Sequence, residues 1–516
     1  MANRDFFQQG PQLANTWRND SFLQDTLKRL LPAEVFAGIA PGLDAFGERA
    51  AGEMLDYAAD AERHPPVHVP YDPWGRRIDE IRVADGWKQL HRIAAEEGVV
   101  ATAYERAHGE HSRIHQFARL YLYHPSSAIC SCPLAMTDGA ARVLELHGGE
   151  EFRSAFERLT SRDPRNFWTS GQWMTERTGG SDVSGTSTIA EPDADGNFRL
   201  HGTKWFTSAT TSEMALALAR IGASEALSLF QLELRDAGGR LNHIEVHRLK
   251  DKLGTRALPT AELSLRGTPA RLVGEPGKGI RTIATMLNIT RLYNACCAAA
   301  QMRRAVMLAE DYARRRIAFG RPLIEQPLHA ETLRAMEQET RVATLMIFHA
   351  AALLGRDETG KASEDERKLL RLMTPLVKLY TAKQAVAVCS EALEAFGGAG
   401  YIEDTGLPVL LRNAQVLAIW EGTTNVLALD LLRALGKDDS LPLFAAFVRE
   451  RVTGKGKVDE ALSQELENLP GLLADAPERN ARRLAFAMAR ILGTALLAHH
   501  GHSALQWLHG NRQLAG

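Results

Sequence analysis

Apolar residues at Phe36, Ile39, Leu43, Phe46, Ala50, Met54 and Tyr57 recur in steps of three and four, which puts them on one helical stripe. The stripe predicts a helix from Pro32 to about Arg63, stopped by His64-Pro65-Pro66 because proline cannot continue it. Tyr71-Asp72-Pro73-Trp74-Gly75 reads as a turn, and helical spacing resumes near Gly86 and runs to about Phe156. The period then changes. Residues 227–234, 244–249 and 261–265 alternate apolar with polar, and Asp195-Gly196 marks a turn between apolar segments. A compact β domain over about 168–273 is therefore expected, inserted between helical ones, with Gly274 to Gly279 as its exit loop.

Past that loop the pattern is helical again. Ile280 to Arg316 contains no proline, and 331–354 behaves alike. Ser363-Glu364-Asp365-Glu366 is a capping box ahead of a third long helix, which should end at Gly397-Gly398. A fourth helix is predicted from near Glu421 to Leu435. Long helices with short links imply an antiparallel bundle. Gly436 to Pro442 reads as a linker, and the rest of the chain as a separate helical appendage. In it Arg479, Arg483 and Arg490 fall at i, i+4 and i+11, on one helix face.

Composition narrows the class. A chain of 516 residues, 45% hydrophobic, holds two to four domains and a sizeable core. A net charge of −2 gives no general attraction to nucleic acid or anionic lipid. The N-terminus lacks a signal-peptide pattern and no apolar run spans a bilayer, so a soluble, cytoplasmic protein is expected. Cys130, Cys132, Cys296, Cys297 and Cys389 are too few and scattered for a disulfide framework, and no metal-ligand spacing occurs. His499-His500-Gly501-His502 reads as terminal polar residues, not as a metal site.

Candidate chemistry centres on Ile419-Trp420-Glu421-Gly422-Thr423-Thr424-Asn425. Glu421 lies in otherwise apolar sequence, a setting that disfavours the charged carboxylate and suits a base. The plainer alternative is an acid in the first turn of a helix. Trp173 to Val183, with Gly179-Gly180-Ser181-Asp182 at its centre, is either an ordinary loop or a run of backbone N–H groups able to hold a flavin edge or phosphate. Gly202 to Ser208, Arg316 to Pro322 and Phe396 to Tyr401 are weaker signals taken singly.

In order and spacing these five segments resemble the acyl-CoA dehydrogenase superfamily over roughly Pro32 to Leu435. Tyr71 to Asp79, Cys132 to Thr137, Arg248 to Gly254, Trp420 and the C-terminal appendage resemble its AidB branch, flavoproteins linked with the response to DNA alkylation. The resemblance implies an α+β fold: an N-terminal helical domain (1–167), a middle β-barrel or sandwich (168–275), a C-terminal four-helix bundle (276–436) and an extra helical domain (437–516). It implies FAD, lined by Met174, Thr175, Gly180 and Ser181, with Trp205 and Thr207 against the flavin. It places Arg316 and Phe319 on the FAD of a neighbouring subunit, and Glu394, Ala395 and Gly398 by the adenosine half. Thr423 and Asn425 would contact cofactor phosphate or ribose, and sharing of FAD implies a homotetramer. Glu421 would take the α-proton of an acyl-CoA while the β-hydride passes to flavin N5.

The chain departs from the family pattern at Arg177-Thr178-Gly179, Asn288, Pro327 and Glu394, changes that bear more on thioester recognition than on flavin chemistry. Two other readings stay open. One is an AidB-like flavoprotein with little turnover, whose appended domain binds DNA through the arginine face. The other is a protein that sequesters acyl-CoA. The substrate's chain length and the electron acceptor are not legible here.

Overall fold

The computed structural model describes residues 9–438, 440–454, 456–474 and 476–510. The chain divides into two compact units, residues 1–51 with 294–516, and residues 52–293. α1 (Ser21–Leu30) and α2 (Ala33–Ala51) belong to the first unit, and the Asp20 carboxylate caps α1 by accepting the Leu23 amide. The stripe expected as one helix is two. α2 ends at Ala51, Gly52 leaves helical backbone, and α3 (Glu53–Arg63) follows. Ile39, Leu43, Phe46, Ala50 and Met54 are nevertheless all buried. The period was legible, but the break at Gly52 was not.

The unit of residues 52–293 continues with an antiparallel hairpin, β1 (Val67–Tyr71) and β2 (Arg77–Arg82), around the turn expected there. The Asp72 carboxylate accepts the amides of Trp74 and Arg76 and closes that turn. Helices α4 (Asp85–Glu96), α5 (Ala101–Glu105), α6 (Ser112–Tyr123), α7 (Ser131–His147) and α8 (Arg153–Leu159) follow. Between α6 and α7, Arg113 and Asp138 form a fully buried ion pair at 2.7 Å. Such a pair survives desolvation only when its other valences are bonded. Tyr104 supplies its hydroxyl and Gln116 its amide to Asp138.

The β domain comprises β3 (Ser170–Trp173), β4 (Ile189–Pro192), β5 (Phe198–Ser208), β6 (Met214–Ile221), β7 (Leu227–Glu233), β8 (Ile244–Leu249) and β9 (Thr260–Val273). Pairing runs β6-β4-β5-β9-β7 and returns from β7 to β6, a closed barrel, with β3 beside β6 and β8 on β9. Closure leaves few open edges. β6 has no polar alternation because both of its faces are buried. Ala215, Ala217 and Ala219 pack with Trp173, Leu200 and Phe230. Met214, Leu216 and Leu218 pack with Met136, Ala140 and Leu144 of α7.

The division between units falls within α9 (Gly279–Arg315). After it come the two-residue strands β10 (Ile317–Ala318) and β11 (Arg321–Pro322), then α10 (Pro327–Glu358), α11 (Glu364–Ala395), α12 (Pro408–Leu417) and α13 (Thr424–Asp438). The predicted capping box forms at α11: Ser363 Oγ accepts the Glu366 amide, and Glu366 accepts the Ser363 amide. The helix stops where expected, with Gly397 at φ 62°.

The expected linker at 436–442 is almost absent. α13 runs to Asp438 and α14 (Ser440–Val452) begins directly, with Asp439 outside the described residues. α15 (Lys457–Ala474), α16 (Pro477–His499) and α17 (Ala504–Gly510) complete the extra helical domain. α16 packs on α10, α11 and α13 as well as on its own neighbours. The buried Glu339 of α10 joins these layers, accepting the Tyr380 hydroxyl at 2.8 Å and the Trp507 indole N–H at 3.0 Å. Arg490 leaves the expected arginine face: its guanidinium donates to the Leu508 carbonyl at 2.5 Å, so only Arg479 and Arg483 are exposed. The five cysteines are free. No helix among the described residues is long and apolar enough to cross a membrane.

The histidines near the C-terminus are structural. His500 is buried with its Nε2 3.0 Å from Nε2 of His349, which requires one ring to donate and the other to accept. His502 packs on the Phe22 ring. Burial, with His499 and Arg451 nearby, pulls His500 down to about 4 and His349 well below the ordinary value. Both rings are held neutral, so below pH 6.5 the unfolded chain binds more protons than the folded one. The contribution of these two rings to the unfolding temperature should be complete above pH 6.5 and be lost as pH drops towards 4. His500→Gln, which carries no titrating group, should remove part of that loss in a calorimetric pH series.

Candidate functional site

In the unit of residues 52–293, the segment after β3 carries Met174, Thr175, Gly180 and Ser181, and β5 carries Trp205 and Thr207. The two are stitched together where the Trp205 amide donates to the Thr175 carbonyl at 3.0 Å. Met174 is buried beneath the loop. Thr207 is buried, and its hydroxyl donates to the Ala261 carbonyl of β9 at 2.6 Å, fixing β5 at a register shift.

What holds the glycine loop is a pair of residues that local sequence patterns did not single out. Glu176 and Lys204 form a buried ion pair at 2.8 Å. One oxygen of Glu176 accepts the amide and hydroxyl of Ser187, and the other accepts the Thr188 hydroxyl as well as Lys204. Lys204 also donates to the Leu218 carbonyl at 3.1 Å. Burial pushes the Glu176 carboxyl up, but Lys204 and the two hydroxyls outweigh it and hold it at about 2. The loop from Arg177 to Thr186 is thus tied at its base and exposed at its tip.

At that tip the amides of Gly180, Ser181 and Asp182 donate to nothing among the described residues. A Cβ on Gly180 would stand 2.6 Å from Thr175 Oγ1, so glycine lets the backbone lie close there. Open amides beside an indole are the chemistry a flavin dinucleotide needs, since its pyrophosphate seeks N–H donors and its ring an aromatic wall. The ring of Trp205 already has cations against it, with Lys250 Nζ 3.8 Å and Arg177 Cζ 5.0 Å from its centroid.

The other expected residues lie in the unit containing residues 294–516. Arg316, half-buried, follows α9, and Phe319 sits at the tip of the β10–β11 hairpin. Phe319 and Gly320 have φ of 52° and 81°, a turn with two left-handed residues. A phenylalanine there is strained and 98% exposed, two costs that intrachain packing does not offset. Glu394, Ala395 and Gly398 lie at the end of α11, with Glu394 and Gly398 exposed.

Glu421 occupies the turn between α12 and α13 and is half-buried, more open than its apolar sequence neighbours imply. Its backbone is left-handed, with φ 57°, and Gly422 follows at 111°. The predicted helix starts later than expected, at Thr424, so Glu421 stands on a strained turn and not in a helix's first turn. Thr423 and Asn425 are exposed on either side of that start.

Lys378 holds this turn from below. Buried in α11, it donates to the Gly422 carbonyl at 2.7 Å. Replacing it with methionine leaves that carbonyl without its charged donor, a loss of about 1–3 kcal/mol. K378M should therefore unfold at lower urea concentration, measured by circular dichroism. Arg371 of α11 also reaches Asp430 of α13 at 2.6 Å and fixes the helix that follows.

Three family models match the chain in succession. They are the adaptive response protein AidB N-terminal domain over residues 9–163, the acyl-CoA dehydrogenase middle domain over 171–268, and the acyl-CoA dehydrogenase C-terminal domain over 277–436. The chain is 46% identical to acyl-CoA dehydrogenase family member 11 of Caenorhabditis elegans, over 96% of this chain and 85% of that protein. It is 35% identical to the putative acyl-CoA dehydrogenase AidB of Escherichia coli, over 75% of this chain and 72% of that one. The crystal structure of Caenorhabditis elegans ACDH-11 in complex with C11-CoA superposes with a TM-score of 0.95 at 43% identity, covering 100% of this chain and 94% of that one. The chain belongs to the acyl-CoA dehydrogenase superfamily, in its AidB-like branch, and is a flavin-dependent oxidoreductase.

Proposed function

We propose that the protein carries out α,β-dehydrogenation of an acyl-CoA, with Glu421 as the base. The observation that carries this reading is the backbone of Glu421. A glutamate held left-handed on a turn, with a buried lysine fixing the next carbonyl, is a carboxylate kept in one place at a conformational cost. Such strain persists where positioning serves function. Glu421 takes the α-proton of the acyl group, and a base positioned in this way contributes roughly 10²–10⁴ in rate. FAD, when bound, supplies the acceptor for the hydride leaving the β-carbon.

The chain's own residues bind and orient. The amides around Gly180 and Ser181 meet the pyrophosphate, Met174 and Thr175 back the loop, and Trp205 and Thr207 form the wall of β5. Thr423 and Asn425 reach phosphate or ribose. Arg316 and the exposed Phe319 extend to a neighbouring copy, with Glu394, Ala395 and Gly398 at the adenosine half, in a homotetramer. The relative solved with C11-CoA supports an acyl-CoA of medium length as the first substrate to try.

The test is a titration of the FAD-loaded protein with acyl-CoAs of graded chain length under anaerobic conditions. Loss of flavin absorbance with at least one of them is expected. A protein that takes up FAD and is bleached by none of them would overturn the reading.

A further inference from the structure

A pocket of about 360 Å3 opens within the unit of residues 52–293, bordering the Trp205 ring through Lys250. Its lining includes Pro65, Pro66, Lys250, Lys252, Arg256 and Thr260. The lysines differ in kind. Lys250 is paired with the Glu262 carboxylate at 2.5 Å. Lys252 has no carboxylate within ion-pair distance among the described residues. Its Nζ instead donates to the Leu258 carbonyl at 2.6 Å and to the Thr260 hydroxyl at 3.1 Å.

That arrangement suits an uncharged amine. A neutral lysine has two N–H donors and one lone pair, and the carbonyl and hydroxyl take up the two donors. A charged ammonium would face the same two neutral acceptors with no carboxylate in ion-pair reach among the described residues. Burial accordingly lowers Lys252 to about 8, although Cys132 and Glu62 nearby push the other way. Lysines desolvated in this way are nucleophiles near neutral pH. At the mouth, Arg256 is exposed and has no ion-pair partner among the described residues, while Asp251 is the acid beside it.

We propose that Lys252 is a site of covalent acylation by acyl thioesters of coenzyme A. The amine nitrogen attacks the thioester carbonyl carbon, the C–N bond forms, and the C–S bond breaks. The nitrogen's proton passes to the departing sulfur, so the products are an amide on Lys252 and free CoA thiol, with no net oxidation. Arg256 and Lys250 attract the phosphates of the donor. The amide keeps one N–H, so either Leu258 or Thr260 loses its donor. Thr260 Oγ1 also meets Ser208 Oγ at 3.1 Å, next to Thr207 on β5, so the modification is felt at the strand that faces the flavin in the reading above.

The reaction uses the thioester only as an acyl donor and does not need Glu421. The test is incubation of the full chain, and of E421Q, with acetyl-CoA, followed by digestion and mass spectrometry of each lysine. Lys252 should be acetylated roughly tenfold faster than the exposed Lys278 and Lys457 near neutral pH, because more of it is unprotonated. Its rate should level off above about pH 8. In E421Q the same rates should appear even though dehydrogenation is lost, which separates the two ideas. K252R should lose the mark at this position. Acetylation of Lys252 no faster than that of Lys278 and Lys457 in the wild-type chain would overturn the proposal.

Discussion

Replacing Glu421 by glutamine is expected to lower turnover of the best acyl-CoA by roughly 10²–10⁴, while leaving FAD content and unfolding temperature close to those of the parent. Glutamine matches glutamate in size and can occupy the same half-buried turn, but it cannot accept the α-proton. The backbone strain at φ 57° is paid in both proteins, so the comparison isolates the chemical step. Single-turnover bleaching of the flavin by acyl-CoA is the measurement that reads it. Full-rate bleaching in E421Q would place the base elsewhere.

The second large effect concerns stability and lies at the foot of the glycine loop. E176Q should destabilise the fold by about 3–5 kcal/mol, because it strands the buried Lys204 cation. K204M should cost a similar amount by stranding the carboxylate. The two losses share one interaction, so the double variant E176Q/K204M should be less destabilised than their sum. Urea unfolding of the four proteins measures this, and strict additivity would show that the pair is not coupled. E176Q should also bind FAD more weakly, since glutamine keeps only one of the two oxygens that accept from Ser187 and Thr188 and close the loop. Glu176 is held at about 2 in the fold, so its contribution is complete above the ordinary glutamate value of 4.5. It should be lost as pH falls from there towards 2.

Features encoded over a few neighbouring residues were readable. The capping box at Ser363, the stop at Gly397 and the turn at Asp72 each depend on contacts within about one turn of chain, and each formed as expected. Long proline-free stretches became α9 and α10. The failures share a cause. β6 showed no alternation because helices cover one face and the barrel interior fills the other. The β1–β2 hairpin is short and buries only Asp79 among its strand residues, so it left no stripe to read. Arg490 shares a helix face with Arg479 and Arg483 by spacing alone, and it turned inward because α17 offered a carbonyl.

The sequence by itself determined the family, the order of helical and β segments, and the residue types offered to a flavin and to a proton. Those properties are local, or lie in motif spacing along the chain. Only the tertiary structure decided which distant groups meet: Lys204 with Glu176 across 28 residues, Lys378 with the Gly422 carbonyl across 44, and His349 with His500 across 151. A buried charge or polar group must find a partner inside the protein, and chain folding alone brings that partner within reach.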